Sequence, residues 1–389
     1  MSVWEPGMRD QAAIGIVSLL ARSAWADSDA APGLRDALSN LSADQNAVVR
    51  MQAAHGFLSI IDANSPSTIV GHLRVRILEE QDENVLAVHL QTLQRVEPAA
   101  SVSDVDQLIE ELAGRPLGTF LRRDDPDERS AGADWWDPRI DVVELASAIL
   151  TRLAIVDGAL FSLRRLSEWL AWPLRNTART RTLLRHLQPY LTSPDGTGEE
   201  AAFILLDTTV HAIEAAWQGA TTTLTASGGE EASTRVRNAA LIAHQLAQQL
   251  DLAADAQNNR ARDDLSITRS PDTIFADKAL PLLRELSSVQ HPQVTQPIVQ
   301  ALIRLSKTRP AEALQAIADA VSETGPYVTD PLAAGAICPY LTRLLAENRD
   351  LVLGTEPGLA AFRHLLQALA GAGHPDALAQ AYTVSDSFR

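Results

Sequence analysis

The sequence predicts an all-α protein, an irregular α-solenoid of stacked helical hairpins, and three observations predict it. Aromatics are only 5% of the chain while alanine and leucine dominate, and β-branched alternation never runs beyond a few residues, so helices must supply the structure. A block of small and apolar residues recurs near the start. Helical periodicity then returns as far as the C-terminus, often behind a proline in a first turn.

The recurrence is seen by setting EPGMRDQAAIGIV beside NAVVRMQAAHGFL, with Arg50 lying 41 residues after Arg9. Gln11 then meets Gln52, Ala12 and Ala13 meet Ala53 and Ala54, and Gly15 meets Gly56. Small residues on one face let a neighbouring helix approach closely, and the larger residues that follow lock it in place. A weaker copy, DENVLAVHLQTLQRV, comes 36 residues later and carries Leu86 in place of the arginine. Between the copies lie APGLRDALSNL, SPSTIVGHLRVRILEE and SVSDVDQLIEELA, each opened by a Pro or Ser/Asp start signal. The unit is a two-helix hairpin of about 36 to 41 residues.

ADQNAVVRMQAAHGFL resembles the second half of a HEAT repeat, and residues 4–114 are similar to the HEAT/armadillo-like superfamily. The resemblance implies that Asp44 is the inter-helix turn aspartate and Val49 the buried valine. It also implies that Arg50, with Arg9 as its counterpart, belongs to a ladder with such aspartates. These roles are structural. The first copy starts at the second helix of a hairpin, so a longer natural protein, or a partner covering this end, is expected.

Five segments are predicted. They are hairpin repeats over 1–114, an acidic Trp-containing loop over 115–139, a helical middle over 140–256, a linker over 257–272 and C-terminal hairpins over 273–389. Helices are expected near 141–156, 159–171, 174–191, 199–218 and 230–255, and the last set opens behind Pro310, Pro331 and Pro357. About 15 to 18 helices are anticipated in all.

A net charge of −16 argues against wholesale binding of nucleic acid or anionic lipid, which both need a basic surface. The single cysteine, Cys338, excludes an internal disulfide framework and a Cys-based zinc cluster. The longest apolar runs, such as AAFILL, are too short to cross a bilayer, and MSVWEPGMRD lacks a basic n-region. A cytoplasmic bacterial protein is expected, without membrane contact.

The chain contains no GxxxxGK[ST], HExxH, GxSxG, GxGxxG or CxxC pattern. No catalytic residue, cofactor or metal is therefore assigned, and His211 and Glu214 simply share a helix face. The local anomaly is Leu163 to Leu187, where Arg164, Arg165, Arg175, Arg179, Arg181 and Arg185 face the single acid Glu168. With Trp169 and Trp172 nearby, these arginines suit a partner protein, an acidic segment or a nucleic-acid strand, unless they pair with acids of neighbouring hairpins. Trp135 and Trp136, in a loop with Asp124, Asp125, Asp127 and Glu128, are the other candidate anchor.

A non-catalytic helical-repeat scaffold for a protein or peptide partner is the function expected. The alternatives are a nucleic-acid binder, for which HEAT-like DNA glycosylases are the enzymatic precedent, and an oligomerisation domain.

Overall fold

The structure, a computed structural model, describes residues 7–20, 22, 29, 31–59, 66–121, 138–193, 196–227, 229–263, 271–321, 327–328 and 330–385. They form eighteen α-helices and, among the described residues, no strand. The chain divides into two compact units, residues 1–168 and 169–389. Trp135, Trp136 and the acids of their loop lie outside the described residues.

Unit 1 holds α1 (Met8–Leu20), α2 (Ala31–Leu41), α3 (Ala47–Ser59), α4 (Pro66–Glu79), α5 (Glu83–Val96), α6 (Val102–Ala113) and α7 (Pro138–Ile155). Helices α1, α3, α5 and α7 pack each on the next, α4 and α6 form part of a second layer, and each hairpin partner bridges the two. The copies read from the sequence are therefore stacked hairpins. Alanines make the close approach possible, since Ala13, Ala53 and Ala54 are wholly buried. Leu86, Leu90 and Leu93 of α5 and Leu108 of α6 are also fully buried, each worth about 1.5–3 kcal/mol of apolar transfer. Leu86 thus contributes to the core where the preceding copy carries Arg50.

Chain entry into the helices is set by side chains. Asp82 accepts from the N–H groups of Asn84 and Val85 at the start of α5. Asp106 accepts from the backbone of Phe161 and Ser162, 3.1 and 3.0 Å, and so caps α8 (Leu160–Leu170), the helix that spans the boundary at residue 168.

Unit 2 continues with α9 (Thr177–Leu191), α10 (Glu199–Ser227), α11 (Glu230–Asp263), α12 (Pro271–Leu286), α13 (Pro292–Leu305), α14 (Pro310–Ala320), α15 (Pro331–Glu347), α16 (Arg349–Leu353), α17 (Glu356–Gly371) and α18 (Pro375–Ser385). One layer runs α9, α11, α13, α15, α18, and the other α10, α12, α14, α17, with successive members in contact. Pro310 and Pro331 open helices as expected, and Pro357 lies in the first turn of α17 behind its cap Thr355.

Several boundaries differ from expectation. Residues 257–263, expected in a linker, belong to α11, because Ala253, Ala254 and Gln257 keep its buried face going. Helix α7 begins at Pro138, inside the expected loop. Helix α10 runs beyond Gln218 through a threonine-rich stretch, where Thr221, Thr222 and Thr223 return their hydroxyls to carbonyls four residues back, each at 2.8 Å.

Candidate functional site

In unit 1 the arginines act within the fold. Arg9 Nη1 lies 2.7 Å from Asp44 Oδ2, and Asp44 Oδ1 accepts from Asn46 N–H at 2.8 Å, closing the turn before α3. Arg50 donates to the carbonyls of Asp44 and Gln45 and to both carboxylate oxygens of Glu80, while Val49 is buried. The two pairings connect consecutive hairpins. Leu86 ends the series, and Arg152 then pairs with the buried Glu97 and, at 3.2 Å, with Asp157. Arg164 stands 3.5 Å from Glu110, and Arg165 stands 3.1 Å from Glu168 with its guanidinium over the Phe161 ring. Both have acid partners within unit 1.

The remaining arginines of the segment lie in unit 2 and divide by helix face. Arg179 is buried, its guanidinium 4.3 Å from the centre of the buried Trp169 ring, so neither is presented to a ligand. Two residues on, Arg181 is exposed, as is Arg185, one turn further along α9. Arg175 and Trp172, the latter 61% exposed, lie in the turn before α9. The expected constellation of arginines and tryptophans is thus reduced to Trp172, Arg175, Arg181 and Arg185, because Trp169 and Arg179 are consumed by packing.

Neighbouring helices extend this exposed side. On α11 the outward stripe carries Arg237, Leu241, Gln248 and Leu252, and on α13 it carries Gln293, Gln296 and Gln300, with Lys307 just beyond. The helices are held in register by three bonds. His244 Nδ1 is 2.6 Å from Gln293 O, Asn258 Nδ2 is 3.3 Å from Arg304 O, and Gln257 Nε2 is 3.4 Å from Leu191 O. Arg304 is neutralised by Asp251 at 2.7 Å and by Asp255. Burial pushes the Asp251 carboxyl above its usual range, against the pull of Arg304.

The other layer has a different character. His211 and Asp207 on α10 meet Glu285 of α12, with His211 Nδ1 2.9 Å from Asp207 O and Nε2 3.4 Å from Glu285 Oε1. The bond to the Asp207 carbonyl, with the charges of Glu285, Asp207 and Glu214, raises the His211 pKa against the effect of burial, and burial, with Glu214 and Asp207, leaves Glu285 raised against the pull of His211. An open cleft of about 560 Å³ adjoins, lined by Asp277, Leu280, Pro281, Arg284, Glu285, Arg309 and Glu312. Arg309 clasps Asp277 there, 2.8 and 2.9 Å. Its charged walls are unlike the mostly apolar pockets that bury small ligands. Sequence reasoning found His211 and Glu214 but not Glu285, which only the packing of α12 on α10 brings near.

Cys338 is buried, which pushes its thiol up and leaves it a poor nucleophile at neutral pH. No single helix among the described residues is long and apolar enough to cross a membrane.

No family model matches the chain, and no curated protein matches it. Among solved structures it is similar to a circular tandem repeat protein with novel repeat topology and enhanced subunit contact surfaces. The identity is 15%, over 97% of this chain and 86% of that one, with a TM-score of 0.39. The repeat architecture described above rests on the chain's own hairpin packing.

Proposed function

We propose that the protein is a non-catalytic scaffold of HEAT-like helical hairpins that binds a protein or peptide partner in the cytoplasm. The observation that supports it most is the exposed side of α9, α11 and α13. There cations, amides and two partly exposed leucines occur side by side, with Leu252 48% and Leu241 37% exposed. A cationic rim around apolar and amide groups suits a polypeptide, which offers both side chains and a hydrogen-bonding backbone. Trp169 is buried, which removes one of the two rings that a stacked nucleic-acid strand would use, and the chain's charge opposes a polyanion.

The test is affinity co-purification of the full chain from its native cells, with and without nuclease. A stoichiometric protein partner that survives nuclease is expected. Recovery of nucleic acid alone would replace this reading with the nucleic-acid alternative.

A further inference from the structure

We infer that the exposed side of α9, α11 and α13 takes an extended acidic segment, about six residues long where it crosses the three helices, with apolar side chains among its acids. This inference rests on the scaffold reading and gives the partner its chemistry.

Charge pairing provides the first argument. On the α10, α12, α14 layer, Lys278 meets Glu200 at 2.6 Å, Arg309 meets Asp277 at 2.7 Å and Arg284 meets Asp319 at 3.8 Å. The charge left over on that side is acidic, since Lys278 is shared between Glu199 and Glu200 and Glu312 is exposed. On the α9, α11, α13 side the balance is reversed. Arg304 is shared by Asp251 and Asp255 and Glu230 is exposed at the start of α11, but the three cations Arg181, Arg237 and Lys307 are exposed and form no ion pair with a carboxylate among the described residues. In a chain of net charge −16, cations left over on one side are complementary to an acidic ligand.

Register provides the second. The Gln257–Leu191 contact joins α11 to α9, and the His244–Gln293 and Asn258–Arg304 contacts join α11 to α13. Counting back along these side-by-side helices brings Arg185, Leu252 and Gln300 to one level, and Arg181, Gln248 and Gln296 to the next. Helices in contact lie about 8–10 Å apart, so each row spans about 16–20 Å, the length of about six extended residues. The second row offers the exposed Arg181 guanidinium at one end and a carboxamide at the other, and the first places Leu252 beside it. The arginine suits a carboxylate, Leu252 an apolar side chain, and the glutamines can donate to and accept from an extended backbone.

The test uses a labelled dodecapeptide of alternating Glu and Leu, its Gln/Leu counterpart and a single-stranded dodecanucleotide, followed by fluorescence anisotropy on the full chain. The Glu/Leu peptide is expected to bind at least about tenfold more tightly than the Gln/Leu peptide and to weaken as salt rises. The Arg181→Glu/Arg185→Glu variant should lose at least about tenfold in that affinity, whereas Arg284→Glu, on the other layer, should not. Both variants alter exposed side chains, and circular dichroism checks that each remains folded.

Equal binding of the two peptides, binding of neither, or undiminished binding by the double variant overturns the inference. Tighter binding of the oligonucleotide, lost in the same variant, makes this a nucleic-acid surface instead. Co-purification separates the two levels. A protein partner recovered equally by wild type and double variant keeps the scaffold and removes this surface, whereas no partner for either removes the scaffold.

Discussion

Arg50 of one hairpin grips Glu80 at the turn of the next, Nε to Oε2 at 3.0 Å and Nη2 to Oε1 at 2.7 Å. Burial acts to raise the Glu80 carboxyl, but the bonds from Arg50 and from the Asp82 and Gln81 N–H groups outweigh it, and the pKa is lowered. A carboxyl lowered on folding stabilises the fold above its unfolded pKa, and that contribution disappears as pH falls through the folded value. Arg50→Ala leaves Glu80 buried without its cation and also frees two turn carbonyls. A loss of about 3 kcal/mol at neutral pH is expected in denaturant melts, shrinking in strong acid. Arg9→Ala, removing a side chain that is 66% exposed, should cost less than about 1 kcal/mol.

The two glycines that align in the repeat should respond in opposite directions. A Cβ on Gly56 would stand 2.2 Å from Val17 Cγ2, where α3 meets α1, whereas nothing lies within 4 Å of one on Gly15. Gly56→Ala is expected to cost about 1–3 kcal/mol through overpacking. Gly15→Ala should gain about 0.5–1 kcal/mol, since alanine is the better helix former and the space is open. Thermal melts of the two single variants decide it, and equal shifts would show that the two positions share one environment.

This contrast shows how far the sequence could be read. Pattern located the hairpins because burial imposes periodicity, and the resemblance to a HEAT repeat marked Arg9, Asp44, Val49 and Arg50, a turn chemistry that the first two copies share and the third, with Leu86, does not. It could not distinguish Gly15 from Gly56, since the difference lies in what packs opposite. It also could not separate Arg179 from Arg181, two residues apart but on opposite sides of α9, one against Trp169 and the other in solvent. The end of α11 was missed because its last turns are polar, and polarity there looks like a linker unless the burial of Gln257 is known.

Arg152 and Glu97 provide a test of a costly buried charge. Burial raises the Glu97 pKa even though Arg152 pulls it down, so neutralising Arg152 should raise it further. A carboxyl raised on folding costs nothing while both states are protonated, and the penalty grows as pH climbs from its unfolded value, 4.5, through the folded one. Arg152→Ala is therefore expected to lose about 2–4 kcal/mol at pH 7 and much less at pH 4. Urea melts at the two pH values would show it, and a pH-independent loss would mean that Arg152 acts through packing alone.

His211 offers a measurement on the acidic side of unit 2. Its pKa lies above the ordinary 6.5, first through the Asp207 carbonyl, against the opposing effect of burial, and then through the charges of Glu285, Asp207 and Glu214. Glu285→Gln removes one of those charges, so the ring signal of His211 in an NMR titration should move to lower pKa while the other histidines stay in place. An unshifted His211 would mean that the Glu285 charge contributes nothing to its value.

His89 should govern the mild-acid limb of stability. It is wholly buried in α5, neither ring nitrogen has a hydrogen-bond partner among the described residues, and burial pushes its pKa from 6.5 to about 4. The Glu80 charge opposes that shift, while Arg76 and Arg50 reinforce it. A base lowered on folding is protonated first in the unfolded chain, so its contribution is complete above pH 6.5 and is lost between there and about 4. The loss is on the order of 3 kcal/mol. His89→Leu, close in volume and without a proton to take up, should keep neutral-pH stability within about 1.5 kcal/mol. It should also flatten the decline between pH 6.5 and 4, leaving the loss of Glu80 in stronger acid as the next event. If the variant and the wild type decline in parallel over that window, another group takes up the proton.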